Sequence, residues 1–270
     1  MQKTELRIGF VGAGKMATAL ARGFLARNIV SADRLFACDV NAEGLKKFCE
    51  ATGTRGLSDS ATLCREADIV FFAVKPADLA VAVSACGSTL SSNLAVSIAA
   101  GVTLSKLASL SPSGTRWIRV MPNTPALIGC GASALCAAKN VTADEKNLVC
   151  NLLSAVGLCL ELPEKHFDIV TALSGSGPAF VFTFIEALAD AGVMGGLTRA
   201  DATTLAAQTV LGAAKMVLES SRHPASLRDD VASPGGTTIA GLLALDAAGF
   251  STAVHAAVAA ATHRSKELSQ

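Results

Sequence analysis

Short, mostly apolar runs alternate with helix-like segments up to residue 163. The runs lie at residues 6–11, 34–38, 68–74, 94–98 and 116–120, and residues 154–162 have the composition of a last helix end and a strand. Continuous apolar strands separated by helices are typical of a parallel sheet whose two faces are both covered. The pattern therefore predicts an α/β domain over residues 1–163.

From residue 164 onward the pattern is that of helices alone. Helical segments are predicted at residues 164–173, 179–191, 200–218, 239–250 and 252–262, with no strand among them. Residues 179–191 are apolar on nearly every side, and a helix of that kind must be buried all round. A domain of about a hundred residues cannot easily cover such a helix alone. We therefore predict an all-α dimerisation domain over residues 164–270.

A glycine-rich turn, Gly-Ala-Gly-Lys-Met-Ala at residues 12–17, joins the first predicted strand to the first helix. In the dinucleotide-binding fingerprint the first glycine allows a tight turn and the second lets a pyrophosphate approach the backbone. The third small residue lets the helix pack closely on the strand. A strand before the motif and a helix after it are the context that the fingerprint requires. The turn predicts a Rossmann-type domain that binds NADH or NADPH.

Small or polar residues follow the predicted strands, namely Gly12, Asp39, Lys75, Ala100 and Asn123. The carboxyl ends of parallel strands share one rim, where ligands collect. An acid at the end of the second strand bonds the ribose hydroxyls and repels a 2′-phosphate, so Asp39 predicts a preference for NADH. The alternative is that Asp39 only caps the helix that follows.

A second candidate site is the segment Ser-Pro-Gly-Gly-Thr-Thr at residues 233–238, directly before the predicted helix 239–250. The N–H groups of a helix's first turn have no partner inside the helix, so a helix start can bind a small anion such as a carboxylate. Gly235 and Gly236 permit close approach, and Thr237 and Thr238 add two hydroxyl groups. The alternative is a turn with ordinary capping.

Composition limits the partners that the chain can have. The formal net charge is +1 and there is no basic stripe, so we expect no nucleic-acid binding. We expect no membrane span, because Glu186 and Asp190 interrupt the most apolar run, and no signal peptide is visible. The eight cysteines form no CxxC pair and no metal-ligand pattern with the four histidines. We therefore expect reduced core thiols, no metal site and a cytoplasmic location.

Several motifs occur in order and nearly end to end. They are the turn at residues 12–17, Ala-Val-Lys-Pro at 73–76, Ser-Ile-Ala-Ala-Gly at 97–101, Met-Pro-Asn-Thr-Pro at 121–125, Leu-Ser-Gly-Ser-Gly-Pro at 173–178 and Asp-Val-Ala-Ser-Pro-Gly-Gly-Thr-Thr at 230–238. Together they resemble the pyrroline-5-carboxylate reductase family, and the last two are specific to it. The resemblance implies a Rossmann domain followed by a helical domain that interlocks with a second subunit, as a homodimer or a higher assembly of dimers. It also implies NAD(P)H-dependent reduction of 1-pyrroline-5-carboxylate to L-proline, the last step of proline biosynthesis.

The resemblance further implies a role for particular positions. Thr238 is the implied catalytic residue, with its hydroxyl on the substrate's ring nitrogen and the substrate carboxylate on the backbone after Ser233. The implied substrate-binding residues are Glu164, Val231, Ser233, Gly235, Gly236, Thr237 and Thr238. The implied cofactor-binding residues are Val11, Gly12, Ala13, Gly14, Lys15, Met16, Asp39, Ser60, Val74, Lys75, Pro76, Ala99, Ala100 and Asp230.

The sequence departs from the family at three positions, and two other functions stay open. Phe180 stands where many members have Tyr, Asp230 where some have Asn, and Asp39 where others have Ser or Thr. A 3-hydroxyacid dehydrogenase of similar build would place a catalytic lysine in the region of residues 173–180, which contains none. A non-catalytic nucleotide-binding sensor would have no reason to keep residues 233–238.

Overall fold

A computed structural model describes residues 5–269. Residues 1–4 and 270 lie outside the described residues. They include the outer limits of both predicted domains and most of the segment inspected for a signal peptide. The strands are β1 (Ile8–Val11), β2 (Leu35–Cys38), β3 (Arg55–Gly56), β4 (Ile69–Phe72), β5 (Leu94–Ser97), β6 (Arg116–Met121), β7 (Gly131–Ala137) and β8 (Gly157–Glu161).

Most helices lie in the connections between the strands or follow the last one. They are α1 (Lys15–Ala26), α2 (Ala42–Thr52), α3 (Ser60–Glu66), α4 (Leu79–Cys86), α5 (Leu104–Leu110), α6 (Ala143–Leu153), α7 (Phe167–Val170), α8 (Gly177–Met194), α9 (Arg199–Ser220), α10 (Pro224–Asp230), α11 (Thr237–Ala247) and α12 (Phe250–Leu268). No strand follows residue 163 within the described part of the chain. The predicted order of an α/β half and a helical half is therefore confirmed.

The eight strands form one sheet in the order β3-β2-β1-β4-β5-β6-β7-β8. Its pairs are parallel except that β7 runs antiparallel to β6. A parallel crossover takes a dozen or more residues, whereas residues 122–130 hold only a short 3-10 turn, Thr124–Ile128. The predicted parallel sheet is thus mixed at this edge, and β3 and β7 are strands that the pattern did not indicate.

Both faces of the sheet carry a core, as the apolar strands predict. On one face the Phe10 ring packs against Phe24, Phe48 and Phe71, with centroids 5.3–6.2 Å apart. On the other face Phe72 packs on Trp117, with ring centroids 5.2 Å apart. Because both faces are covered, a ligand reaches the central strands at their ends, and in parallel sheets it is the carboxyl ends that collect ligands.

The chain divides into two compact units, each of which is described by itself. The sheet unit holds the residues up to 176 together with those from 261 on, and the helical unit holds residues 177–260. The division falls after the predicted boundary at residue 163, because Phe167 packs against Ala134 and Cys136 of β7. The boundary at residue 163 stays a prediction of where the second domain begins.

Two predicted helices differ from the structure. The predicted helix at residues 239–250 is wrong at its end, because α11 stops at Ala247 and Phe250 opens α12. Gly249, with a φ of +72°, lies between them, and left-handed backbone of this kind ends helices. Residues 164–173 form a 3-10 turn (Glu164–His166), α7 and the start of a π-helical turn (Thr171–Gly175) rather than one regular helix.

The helical stretch Glu164–Met194 is long and apolar enough to cross a membrane by length and composition alone, and only 6% of its most apolar window is buried. Glu186 and Asp190 therefore do not exclude a span by composition, and the expectation of no membrane span stays a prediction. Further apolar side chains of the helical unit, including Phe182, Leu205 and Leu243, are exposed. Exposed apolar surface of this extent marks an interaction surface.

Candidate active site

The glycine-rich turn follows β1 at the carboxyl rim of the sheet. Gly12 has a φ of +97°, and a Cβ built on it would lie 2.8 Å from the Ala73 carbonyl oxygen, so only glycine fits. Its N–H donates to the Cys38 carbonyl oxygen at 2.9 Å. The turn is therefore fixed between the carboxyl ends of β2 and β4.

The start of α1 is open toward this turn. Gly14 is its N-cap and supplies no side-chain cap, and the first turn contains no acidic residue. Nothing lies within 4 Å of the position that a Gly14 Cβ would take, whereas Ala17 is fully buried. Unpaired N–H groups and open space at a helix start suit a phosphate group. The residues present thus fit the pyrophosphate of a dinucleotide.

Asp39 connects the turn to the end of β2. Its Oδ2 accepts a hydrogen bond from the Ala13 N–H at 2.7 Å, and its Oδ1 accepts one from the Asn41 N–H at 2.8 Å. The cap of α2 is Asn41, whose side chain accepts from the first-turn N–H groups of that helix. Asp39 is therefore not merely the cap of α2, and its two backbone bonds hold a carboxylate at the rim.

The other predicted cofactor residues of the sheet unit lie along the same rim. Ser60 begins α3 with its Oγ 3.4 Å from the Cys38 Sγ, and burial raises the pKa of that thiol to about 11. Lys75 is exposed and precedes the 3-10 turn Pro76–Asp78. Of the residues that follow β5, Ala99 is buried and Ala100 is exposed. Val11 and Ala13 are buried, Met16 and Val74 half-buried, and Lys15 exposed.

Glu164 has two donors within the sheet unit. Its Oε1 accepts from the Leu104 N–H at 2.7 Å and from Arg119 Nη1 at 3.0 Å. Arg119 is 5% exposed, and its guanidinium lies 4.6 Å from the centre of the Phe167 ring. Sequence reasoning did not single out Arg119, although a charge inside a mostly apolar strand is a visible signal. The implied contact of Glu164 with substrate stays a prediction.

Asn123, which the sequence predicts on the rim where ligands collect, is buried, and its side-chain amide is bonded within the protein. Its Nδ2 donates to the Ser174 carbonyl oxygen at 3.0 Å, and its Oδ1 accepts from the Ala132 N–H at 2.8 Å. The amide thus joins the end of β6 to β7 and to the π-helical turn. Such turns are frequent at functional sites.

In the helical unit, α11 begins within the predicted anion-binding segment. Its N-cap is Gly236, which supplies no side-chain cap, and its first turn contains no acidic residue. Gly235 has a φ of +68°, and nothing lies within 4 Å of the position of its Cβ. Thr238 is half-buried at the second position of the helix, inside it rather than at its cap. The alternative of ordinary capping is not what the structure shows.

The other predicted site residues of the helical unit lie within or next to the segment at residues 233–238. Thr237 opens α11, and Val231, Ser233 and Thr237 are exposed. Asp230 Oδ2 pairs with Arg222 Nη1 at 2.6 Å, and the Arg222 guanidinium lowers the pKa of that carboxyl. Asp230 therefore belongs to the helical unit, whereas the other predicted cofactor residues lie on the sheet unit. The roles of both sets stay predictions.

Family models match both parts of the chain. Residues 164–268 match the model described as pyrroline-5-carboxylate reductase dimerisation, and residues 7–101 match the model described as NADP oxidoreductase, coenzyme F420-dependent. The first match covers the exposed apolar helices and the start of α11. The second covers the glycine-rich turn and the rim.

Whole-chain comparisons give the same result. A pyrroline-5-carboxylate reductase of Methanosarcina acetivorans is 46% identical over 97% of this chain and 97% of its own length. The crystal structure of Plasmodium falciparum pyrroline carboxylate reductase with NADP bound has a TM-score of 0.89 at 36% identity, covering 99% of this chain and 100% of that one. A pyrroline-5-carboxylate reductase structure from Coxiella burnetii has a TM-score of 0.93 at 36% identity, with the same coverage. With a dinucleotide-type turn, an open helix start and these matches along nearly its whole length, the chain belongs to the pyrroline-5-carboxylate reductase family.

Proposed function

We propose that this chain catalyses the NAD(P)H-dependent reduction of 1-pyrroline-5-carboxylate to L-proline, the final step of proline biosynthesis. The observation that carries the proposal is the open start of α11, which presents free N–H groups beside a threonine hydroxyl in the part of the chain that matches the family's dimerisation model. The substrate is a small carboxylate with an imine nitrogen in its ring, which is what such a start can bind.

The substrate carboxylate is bound by backbone. The N–H groups of the first turn of α11 have no partner within the helix, and the partial positive charge of the helix start favours an anion. Gly235 leaves this backbone accessible, because nothing lies within 4 Å of the position of its Cβ, whereas the Ser233 hydroxyl lies against Gly236. Ser233, Thr237 and Val231 surround the bound carboxylate as substrate-binding residues.

Thr238 orients the reacting bond. Its hydroxyl accepts a hydrogen bond from the protonated ring nitrogen, and a hydroxyl can also donate one as charge on that nitrogen falls. A protonated imine is already electrophilic, so the site needs a positioned hydroxyl rather than a strong acid. None of the four histidines is required for this step.

The cofactor is held on the rim of the sheet unit. The backbone of Gly12, Ala13 and Gly14, followed by Lys15 and Met16, receives the pyrophosphate at the start of α1. When bound, NAD(P)H supplies the hydride that reduces the C=N bond. Ala99 and Ala100 are small, which permits close approach of the nicotinamide half to the backbone after β5.

Asp39 sets the cofactor preference in this proposal. Its carboxylate is fixed at the rim by two backbone N–H groups, so its charge cannot easily move away from a ligand. A fixed negative charge at the end of the second strand favours ribose hydroxyls over a 2′-phosphate. We therefore propose a preference for NADH over NADPH.

The functional unit is proposed to be a homodimer, which can assemble further. Its support is the apolar stretch Glu164–Met194, only 6% buried in its most apolar window, within the part of the chain that matches the dimerisation model. A second copy covers such a face with an identical one, as two-fold interfaces do. Eight free cysteines support a reducing compartment, and we propose the cytoplasm.

A substrate comparison separates this function from its alternatives. Purified protein is assayed for substrate-dependent change in nicotinamide absorbance with 1-pyrroline-5-carboxylate and NADH or NADPH, and in parallel with 3-hydroxy acids and NAD⁺ or NADP⁺. The proposal expects turnover only with the imine. Turnover with a 3-hydroxy acid would favour the dehydrogenase alternative, and cofactor binding with no turnover would favour a sensor.

A further inference from the structure

The segment between β5 and α5 contains Ala99 and Ala100, and it is held by contacts that the cofactor does not supply. At its start the Ile98 N–H donates to the Phe72 carbonyl oxygen of β4 at 3.1 Å. At its end the Leu104 N–H donates to Glu164 Oε1 at 2.7 Å, and Arg119 holds that carboxylate in place. Both ends of the segment are therefore fixed by named bonds.

The middle of the segment rests on the last turn of the described chain. Gly101 faces this turn: a Cβ built on it would lie 3.5 Å from the Leu268 carbonyl oxygen and 3.6 Å from the Ser269 Oγ, so a side chain at this position would touch the turn. The Gly101 backbone and the C-terminal turn of α12 are therefore neighbours, with no room between them for more than a small side chain.

Asp168 of α7 binds this C-terminal turn of α12. Its Oδ1 accepts from the Ser265 Oγ at 2.7 Å and from the Ser269 Oγ at 3.4 Å, across nearly a hundred residues of sequence. Ser265 is 5% exposed, and it is the buried residue of α12. A buried hydroxyl on a carboxylate forms a short, strong hydrogen bond, so this contact fixes the turn rather than merely touching it.

We propose that Asp168 and Ser265 are positioning residues that set the backbone of residues 99–101 for the nicotinamide cofactor. This inference rests on the proposed function, in which Ala99 and Ala100 receive that cofactor. Glu164 and Asp168 lie one turn apart and act on the same segment, Glu164 at its end and Asp168 through the C-terminal turn on Gly101. Without the hydrogen bond between Ser265 and Asp168, the C-terminal turn of α12 becomes more mobile, and so do residues 99–101 beside it.

The test compares Ser265→Ala with Ser265→Thr, which keeps the hydroxyl, and with Ser154→Ala as a matched control. The Ser154 hydroxyl donates to the Cys150 carbonyl oxygen of its own helix and is exposed at the end of α6, so its loss should not affect residues 99–101. Equilibrium binding of NADH is measured by fluorescence without substrate, together with kcat, the KM for each substrate and the melting temperature. We expect Ser265→Ala to raise the dissociation constant for NADH about three- to tenfold, the range for loss of one oriented hydrogen bond. The KM for the imine should change less than about twofold, since the proposed contacts of its carboxylate and ring nitrogen lie on the helical unit.

A second pair of variants guards against misfolding. Asp168→Asn keeps an oxygen that can accept from Ser265 and should bind NADH within about twofold of the wild type, whereas Asp168→Ala should weaken binding about as much as Ser265→Ala. Unchanged NADH binding in Ser265→Ala or Asp168→Ala, with only a lower melting temperature, would show a structural anchor and overturn the inference. Because NADH binding is measured without substrate, failure of the wild type to reduce the imine would overturn the proposed function and leave this test standing.

Discussion

Thr238 lies at the second position of α11, half-buried and inside the helix, where its hydroxyl is not used as a cap. A threonine at such a position has no evident structural task, because the N-cap of this helix is Gly236 and carries no side chain. A hydroxyl beside free first-turn N–H groups is instead suited to a ligand with a carboxylate and a nearby nitrogen.

Replacing Thr238 by Ala should lower kcat about ten- to a thousandfold, because one oriented hydrogen bond near changing charge is lost. NADH binding should barely change, since the cofactor residues lie mostly on the sheet unit. Thr238→Ser should recover most of the turnover. Full activity in a Thr238→Ala protein that melts at a lower temperature would mean that the residue only stabilises α11.

Asp39 allows a separate test of cofactor choice. Asp39→Asn removes the charge and keeps one oxygen for the backbone N–H groups of Ala13 or Asn41. The ratio of kcat/KM for NADH to that for NADPH should fall at least about fivefold, since a 2′-phosphate is no longer repelled. A wild-type enzyme that prefers NADPH tenfold, or a ratio that Asp39→Asn leaves unchanged, would contradict the role given to this carboxylate.

The partners of buried polar residues could not be predicted from the sequence. Arg119 is visible as a charge in a mostly apolar run, but its partners Glu164 and Phe167 lie some forty-five residues away in sequence. Asp168 and Ser265 have no local signal at all, because their contact spans 97 residues. The glycine-rich turn was predictable because its requirements are local, a tight turn and a free helix start.

At the scale of elements, the start of α11 lacks the features that usually stabilise the first turn of a helix. Its first turn carries neither a side-chain cap nor an acidic residue, although either would stabilise a helix. In the proposed function the substrate carboxylate supplies the interaction that the cap and the acidic residue would otherwise give.

Thr237→Glu should therefore separate stability from activity. Thr237 is exposed at the first position of α11, where an added carboxylate interacts favourably with the helix dipole, by about 0.3–1 kcal/mol. The melting temperature should hold or rise, while the KM for the carboxylate substrate rises at least about tenfold through repulsion. Thr237→Gln, of the same size and uncharged, is the control. Equal kinetics for the two variants would argue that the substrate carboxylate binds elsewhere.

Strands could be predicted from the sequence where a run of apolar residues was uninterrupted. β4 and β5 are runs of apolar residues, and the structure has both. β7, with the sequence Gly-Ala-Ser-Ala-Leu-Cys-Ala, has few residues that favour strands and exists because it pairs with β6 and β8 on either side. The break between α11 and α12 was predicted after residue 250 but falls at residues 248–249, where Gly249 adopts left-handed backbone.

At the scale of the whole molecule, the exposed apolar face of the helical unit is the main feature that one chain leaves uncovered. Phe184 is a poor probe of this face, because its ring packs on Phe250 of the same unit with centroids 5.7 Å apart. A substitution of Phe184 would affect both the folding of the helical unit and its association with a second copy. Phe182 is 65% exposed and offers a cleaner test.

Phe182→Asp should dissociate the assembly, because it puts an unpaired charge into a dry interface. Light scattering should show a smaller particle than the wild type, with loss of activity. Val81→Asp, at an exposed apolar residue of α4 in the sheet unit, is the matched control and should leave the particle unchanged. A wild-type protein that is a stable, soluble monomer at micromolar concentration would contradict the proposed dimer.

In the proposed reaction this chain transfers a hydride from a nicotinamide cofactor to the imine carbon of 1-pyrroline-5-carboxylate. The most direct measurement is the mass spectrum of the product formed from that substrate and NADH carrying deuterium at the transferable position. We expect L-proline with a single deuterium, formed as the cofactor is oxidised. The label should lie on the ring carbon that is bonded to nitrogen and does not carry the carboxylate. Absence of proline, or proline without the label while the cofactor is oxidised, would contradict it.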